Sequence, residues 1–154
     1  MRLLKFFAVV GLVTAGGIGL LSAAGQNEGT DKKELEKFQG KWVRVSITIV
    51  GKALEEDEIK HRSLVFKGEK LTLLYKDKER ATASLKIDRS KSPAQIDTTN
   101  EDGPGKGGTL KGIYKFDGDT LTICTGGWGK DNRPTEFASK PGSGTMLFVF
   151  RRAK

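Results

Sequence analysis

Alternation of apolar and polar residues with a period of two is the main pattern in this chain. It recurs in short runs, several of them joined by turn residues such as Asp117-Gly118. A period of two indicates β-strands that bury one face. The runs occupy residues 41–50, 64–66, 71–76, 81–87, 94–99, 109–116, 119–125 and 145–150. Eight antiparallel strands with mostly short turns predict an up-and-down β-barrel, which closes without free edges.

Two short helical patterns accompany these strands. Asp31 with Glu34 three residues later has the spacing of a capping box, and Leu35 and Phe38 share one helical face. A second helix is predicted over residues 54–62, where acidic residues come first and basic residues last, as the helix dipole favours. The sequence therefore predicts an all-β fold: an eight-stranded antiparallel up-and-down barrel with a short N-terminal helix and a short helix between strands 1 and 2.

The first strand allows two orientations. Its two faces carry Val43, Val45, Ile47 and Ile49 on one side and Trp42, Arg44, Ser46 and Thr48 on the other. Either the aliphatic face is the core and Trp42 is external, or Trp42 and Arg44 point into the barrel. A β-bulge near Arg44 would reconcile the two by changing the facing within the strand.

The N-terminal residues have the pattern of a signal peptide. A basic start, a long uncharged stretch and small residues at 22–24 predict a signal peptide over residues 1–24, cut after Ala24. The rest divides into a polar linker, 25–30, and the barrel domain, 31–154. The alternative is an uncleaved anchor, although its glycines weaken a spanning helix of borderline length. We therefore expect an exported protein, periplasmic or extracellular, that contacts a membrane only if this segment stays uncleaved.

The chain is basic, with 27 Lys and Arg residues against 19 Asp and Glu and a formal net charge of +8. Loss of residues 1–24 removes only Arg2 and Lys5 from this balance, so the domain stays basic. The excess could suit an anionic surface or ligand. The lysines are scattered among acidic residues, and no basic run is interleaved with aromatic residues. This distribution argues against a nucleic-acid partner.

The sequence offers no convincing reactive group. Cys124 is the only cysteine, so no internal disulfide forms, and its strand context predicts a buried, inert thiol. One histidine, His61, and one cysteine do not make a zinc set. The glycine-rich residues 103–108 lack the P-loop spacing and the helix that should follow it. We therefore predict no catalytic, cofactor-binding or metal-binding residue and do not expect an enzyme.

A long loop before the last strand carries three candidate contact residues, Trp128, Arg133 and Phe137. An aromatic ring and an arginine on a loop can stack on a sugar or hold an anion. In the alternative interpretation, Trp128 and Phe137 cap the barrel mouth and Arg133 pairs with Glu136.

Gly40-x-Trp42 at the start of the first strand, with Arg151 or Arg152 ending the last, resembles the lipocalin signature. In lipocalins this arginine packs across the tryptophan at the closed end of the barrel. Over essentially its whole mature length, the chain resembles an uncharacterised lipocalin-like domain family expanded in planctomycete bacteria. The residues that carry this likeness are FQGKW at 38–42, GK at 51–52, FKG at 66–68, GIY at 112–114, DGDTL at 117–121, RPTEF at 133–137 and SKPGSG at 139–144. The family has no established activity to transfer, and Arg44 departs from the apolar residue that many such strands carry.

A barrel of eight strands has room for its own side chains or for one small ligand. The main hypothesis is that this one binds a small apolar or amphipathic molecule. Inward strand positions supply the candidate pocket residues Arg44, Leu73, Tyr75, Leu85, Tyr114, Phe116, Phe148 and Phe150. The alternative is a structural or interaction domain, filled with side chains, whose loops contact an envelope protein.

Overall fold

The chain forms two helices and nine strands over residues 23–154, the part that the computed structural model describes. Residues 1–22 of the predicted signal peptide lie outside this part. The elements are α1 (Ala23–Phe38), β1 (Gly40–Ile49), β2 (Lys52–Ala53), α2 (Glu56–Ile59), β3 (Arg62–Lys67), β4 (Lys70–Tyr75), β5 (Lys78–Asp88), β6 (Gln95–Asn100), β7 (Thr109–Asp117), β8 (Thr120–Thr125) and β9 (Met146–Arg152).

Eight of these strands form a closed antiparallel barrel. From β3 to β9 each strand pairs with the next, and β1 pairs with both β3 and β9, which closes the sheet. The two-residue strand β2 only extends the pairing of β1 beyond the barrel. Because the order around the barrel follows the chain, the predicted lipocalin-like, up-and-down architecture is confirmed.

Both predicted helices are present, but their bounds differ from the prediction. The first begins at Ala23 rather than Asp31, so residues 25–30, predicted as a linker, are helical. Two glycines in this stretch disfavour a helix by about 1 kcal/mol each, yet the alanine, glutamine, glutamate and lysine residues around them favour it. Neither helix of residues 23–154 has the length and apolar character needed to cross a membrane.

The second helix covers only Glu56–Ile59 instead of residues 54–62. Leu54 and Glu55 lie between β2 and the helix, and the turn residues Lys60 and His61 separate the helix from β3. The backbone N–H of Glu55 donates to the Glu58 carboxylate over 2.9 Å, so the acidic residues at this end stabilise the helix start.

A β-bulge at Val45 decides the orientation of the first strand. The pairing of β1 with β9 shifts between Arg44, opposite Phe150, and Ser46, opposite Val149. Before the bulge Trp42 is fully buried, and after it Ile47 is buried and shares a face with Phe148, its partner in β9. The extra residue therefore directs Trp42, Arg44 and Ile47 to the same side of the sheet.

The C-terminal residue of α1 closes one end of the barrel. The Phe38 ring lies 4.8 Å from Phe116, 5.0 Å from Tyr114 and 5.3 Å from Phe66, measured between ring centroids. The indole N–H of Trp42 donates to the carbonyl of Phe38 over 2.6 Å. These aromatic contacts fill the closed end and leave little space there.

Arg152, rather than Arg151, is the arginine that packs on the tryptophan. Its guanidinium carbon lies 4.3 Å from the Trp42 ring centroid. Its two Nη groups donate to the carbonyls of Gln39 and Lys37 over 2.9 and 2.8 Å. Between helix and strand, Gly40 has a φ of +103°, a conformation that glycine adopts without strain. The end of α1 is thus held against both the first and the last strand.

Replacing Arg152 with alanine should lower the free energy of unfolding by about 2–3 kcal/mol, because two hydrogen bonds and a cation–π contact are lost. Urea unfolding measures the change. Arg151→Ala is the matched control: Arg151 is exposed, so this variant should stay within about 0.5 kcal/mol of the original chain. If both substitutions change the free energy of unfolding by the same small amount, Arg152 does not hold the end of α1 as described.

Candidate functional site

A cavity of about 360 Å³ occupies the part of the barrel beyond the aromatic closed end. Its volume falls within the range of small-molecule sites. Its wall is mostly aliphatic and aromatic. The lining residues are Arg44, Leu64, Leu71, Leu73, Ala81, Thr82, Ala83, Ile96, Thr98, Asn100, Pro104, Leu110, Ile123, Thr125, Trp128, Phe148 and Phe150.

Small side chains on β5 help to keep this space open. Ala81 lies opposite Leu73, and Ala83 lies opposite Leu71, in the pairing of β4 with β5. All four residues line the cavity. Because each alanine extends only one carbon from the backbone, this wall leaves room that larger side chains would fill.

Arg44 is the one charged residue in the cavity wall formed by residues 23–154. Its guanidinium carbon lies 5.4 Å from the ring centroid of Phe148 and 5.3 Å from that of Phe150. Its Nε is buried without a hydrogen-bond partner. Burial, and secondarily the positive charge of Arg62, lower the pKa of Arg44 to about 10. The group therefore remains a cation at neutral pH.

The mouth of the cavity is formed by two loops. Trp128, which is 51% exposed, and Pro104, from the glycine-rich connection between β6 and β7, line it from opposite loops. The loops meet closely: a Cβ added to Gly105 or Gly108 would lie 3.8 Å from the Trp128 ring. The glycine-rich residues thus pack beside an aromatic side chain at the barrel entrance.

Thr125 is a second unpaired polar group in the same wall. Its hydroxyl is buried without a hydrogen-bond partner. It lies opposite Met146, whereas Arg44 lies opposite Phe150, four residues further along β9. At 3.3 Å per residue these two levels are about 13 Å apart. The cation is therefore deep in the cavity, and the hydroxyl lies nearer the mouth.

The structure brings together half of the predicted pocket residues. Arg44, Leu73, Phe148 and Phe150 line the cavity, and so does Trp128 from the loop. Leu85 instead belongs to the packed core.

The other three predicted pocket residues lie elsewhere. Tyr114 and Phe116 do point inward, but the insertion of Phe38 fills the space in front of them. Tyr75 lies at the end of β4, with its ring 6.3 Å from the His61 ring and 5.5 Å from the Arg80 guanidinium. These contacts place it outside the cavity wall.

Arg133 anchors the long loop, and the alternative in which it pairs with Glu136 is wrong. Its Nη1 and Nη2 donate to the Asp97 carboxylate over 2.7 and 3.2 Å, and Nη1 also donates to the Gly112 carbonyl over 2.7 Å. Glu136 instead accepts from Lys140 over 2.9 Å. A bidentate partner on β6 holds Arg133 more firmly than a neighbour on the same loop would.

Phe137 does not reach the mouth either. The ammonium group of Lys115 lies 4.7 Å from its ring, and Phe137 borders a surface groove together with Glu34 and Tyr114 beside α1. This groove is at the closed end of the barrel. Of the three predicted loop residues, only Trp128 therefore borders the cavity.

Cys124 is fully buried beneath the same loop. Its Sγ lies 3.4 Å from the Ala138 carbonyl. Burial raises the pKa of this thiol above its ordinary value, so it stays protonated at neutral pH. Within residues 23–154 no group of three or more His, Cys, Asp or Glu residues is arranged to hold a metal ion.

Part of the aliphatic wall and the anchor of the loop were not among the residues predicted from the sequence. Strand alternation alone could have identified the inward residues Leu64, Leu71, Ile96, Leu110 and Ile123. No local signal pairs Asp97 with Arg133, 36 residues away. Comparisons with known protein families, curated proteins and solved structures found no match. The geometry of the cavity is therefore the basis for a functional proposal.

Asp97→Asn should lower the free energy of unfolding by about 1–3 kcal/mol, because it leaves a partly buried guanidinium without its carboxylate. Glu136→Gln is the matched control, since the exposed pair of Glu136 with Lys140 contributes less than about 0.5 kcal/mol. Chemical denaturation of both variants gives the comparison. A larger loss for Glu136→Gln would overturn the assignment of the anchor.

Cys124 should react with a thiol reagent only when the protein unfolds, because it is buried and protonated. The rate at which Cys124 is labelled is measured at neutral pH with and without denaturant. Thr135→Cys adds a thiol at an exposed position of the same loop and should react at once, which provides the reference. Rapid labelling of Cys124 in the folded protein would refute the burial.

Proposed function

We propose that this chain is an exported lipocalin-like protein that binds one small apolar or amphipathic molecule inside its barrel. The observation that carries the proposal is the cavity of about 360 Å³ with its largely aliphatic and aromatic wall. Apolar surface that leaves water on entering such a wall provides the driving force. Export is supported by the signal-peptide pattern of residues 1–24, and the family assignment by the sequence likeness described above.

The way the cavity is built supports binding of a ligand over a purely structural role. The closed end is filled by aromatic side chains around Phe38, whereas the space beyond it is lined by short residues such as Ala81 and Ala83. Trp128 adds an aromatic surface at the entrance, where it can cover part of a bound molecule. A barrel that acted only as a scaffold would gain stability if this space were packed.

A second candidate function, protein interaction, is favoured by the outer face of β1. Val43 and the bulge residue Val45 are 38% and 41% exposed. Exposed aliphatic residues close together on one strand can contact an envelope protein. This surface lies outside the barrel, so it is compatible with a ligand inside.

Native mass spectrometry of protein purified from its own envelope, followed by release under denaturing conditions, tests the proposal directly. We expect about one small molecule per barrel, as one lumen allows. Protein without a bound molecule, which also fails to take up any added amphiphile, would favour the interaction function instead.

Intrinsic fluorescence should report binding, because the two tryptophans are in different environments. Trp42 is fully buried and Trp128 is half exposed at the cavity. Addition of decanol should shift the emission to shorter wavelengths as Trp128 loses water, and Trp128→Phe should abolish this shift. Trp42 emission in that variant is the internal control. An unchanged shift in Trp128→Phe would place the binding site elsewhere.

A further inference from the structure

Arg44 is placed in the cavity by the backbone. The bulge at Val45 follows it directly, and the pairing of Arg44 with Phe150 fixes its side chain on the inner face of the sheet. Its guanidinium then lies over the rings of Phe148 and Phe150. Its location is therefore a property of the sheet register and not of a mobile loop.

The guanidinium has no anionic partner within residues 23–154. No ion pair or hydrogen bond joins the side chain to a described residue, and Nε is buried. The positive charge of Arg62 adds to burial in disfavouring the charged form of Arg44 and so lowers its pKa. Burial of an unpaired charge is unfavourable, and two aromatic faces compensate only part of this. An anion that enters the cavity would accept hydrogen bonds from the N–H groups of this planar guanidinium.

The other polar groups of the wall are neutral and lie on the mouth side. The Thr82 hydroxyl already donates to Asp102 over 2.8 Å. Thr98, Asn100 and Thr125 carry no charge. The charge of the cavity is thus confined to its deep end, so a ligand with one charged end has a preferred direction.

We infer that the ligand is a single-chain amphiphile with an anionic head, bound head-first, with the head on Arg44 and the chain directed along the aliphatic wall toward Trp128. This inference rests on the proposed function. If each non-hydrogen atom takes about the 30 Å³ that a water molecule takes in the liquid, the cavity of about 360 Å³ holds about a dozen such atoms. A medium-chain carboxylate such as decanoate has this size, and its head matches the guanidinium fork.

The test compares amphiphiles that share one chain and differ in the head: decanoate, decyl sulfate, decanol and decyltrimethylammonium. Affinities for the purified protein are measured at neutral pH by Trp128 fluorescence and by calorimetry. We expect decanoate to bind about ten- to a hundredfold more tightly than decanol, the range of a charge-assisted hydrogen bond, and the cation to bind most weakly. Tighter binding of decyl sulfate than of decanoate would identify a sulfate or phosphate ester as the natural head.

Arg44→Met keeps an unbranched apolar side chain over Phe148 and Phe150 but removes the charge. The affinity for decanoate should fall by about ten- to a hundredfold, and the affinity for decanol should stay the same or rise. Arg151→Met, on the exposed side of β9, is the matched control and should bind all four probes as the original chain does. If Arg44→Met fails to fold, Arg44→Gln and the head-group comparison on the unaltered protein still decide the question.

Two failures are distinguishable. If decanol and decanoate bind with equal affinity, or if Arg44→Met keeps the preference for decanoate, the role of Arg44 is refuted while ligand binding stands. If none of the four amphiphiles binds the unaltered protein, the proposed function itself is refuted, and the inference fails with it.

Discussion

The junction between α1 and β1 is the constraint on which the rest of this barrel depends. One arginine, Arg152, packs on Trp42 and donates to two carbonyls at the end of the helix. The tryptophan in turn donates to Phe38. First strand, last strand and helix are therefore fixed at one point, where the sheet must close without disulfide support, since the chain has a single cysteine.

This closure also sets the size of the cavity. Because Phe38 enters the barrel from α1, Tyr114 and Phe116 pack on it and do not line the cavity. What remains open is the half that carries Arg44 and is bordered by Trp128. The same aromatic cluster that stabilises the fold thus limits the length of any molecule the barrel can hold.

The fold was predictable from the sequence because strand alternation and turn residues are local signals, as at Asp117-Gly118. The site was predictable only in part. Alternation shows that Tyr114 points inward, but not how deep it lies or that Phe38 covers it. Alternation left the facing of Arg44 open, with a bulge near it as one solution, and only the pairing of β1 with β9 places that bulge at Val45. The sequence suggested Glu136 as one partner for Arg133, whereas its actual partner, Asp97, is brought near only by the closed sheet.

The two sides of the barrel mouth are held in different ways. The loop that carries Trp128 is fixed to the outer sheet by the Arg133–Asp97 pair, and Gly126 fits so tightly that an added Cβ would lie 2.1 Å from the Asn132 carbonyl oxygen. The opposite side consists of residues 103–108, a turn in which Gly103, Gly105 and Gly107 have positive φ and the Gly108 N–H donates to the Gly105 carbonyl over 2.9 Å. A ligand of the kind proposed would pass between these two loops. Substitutions in the loops would then change its rates of entry and release, whereas substitutions at Arg44 would change its equilibrium affinity.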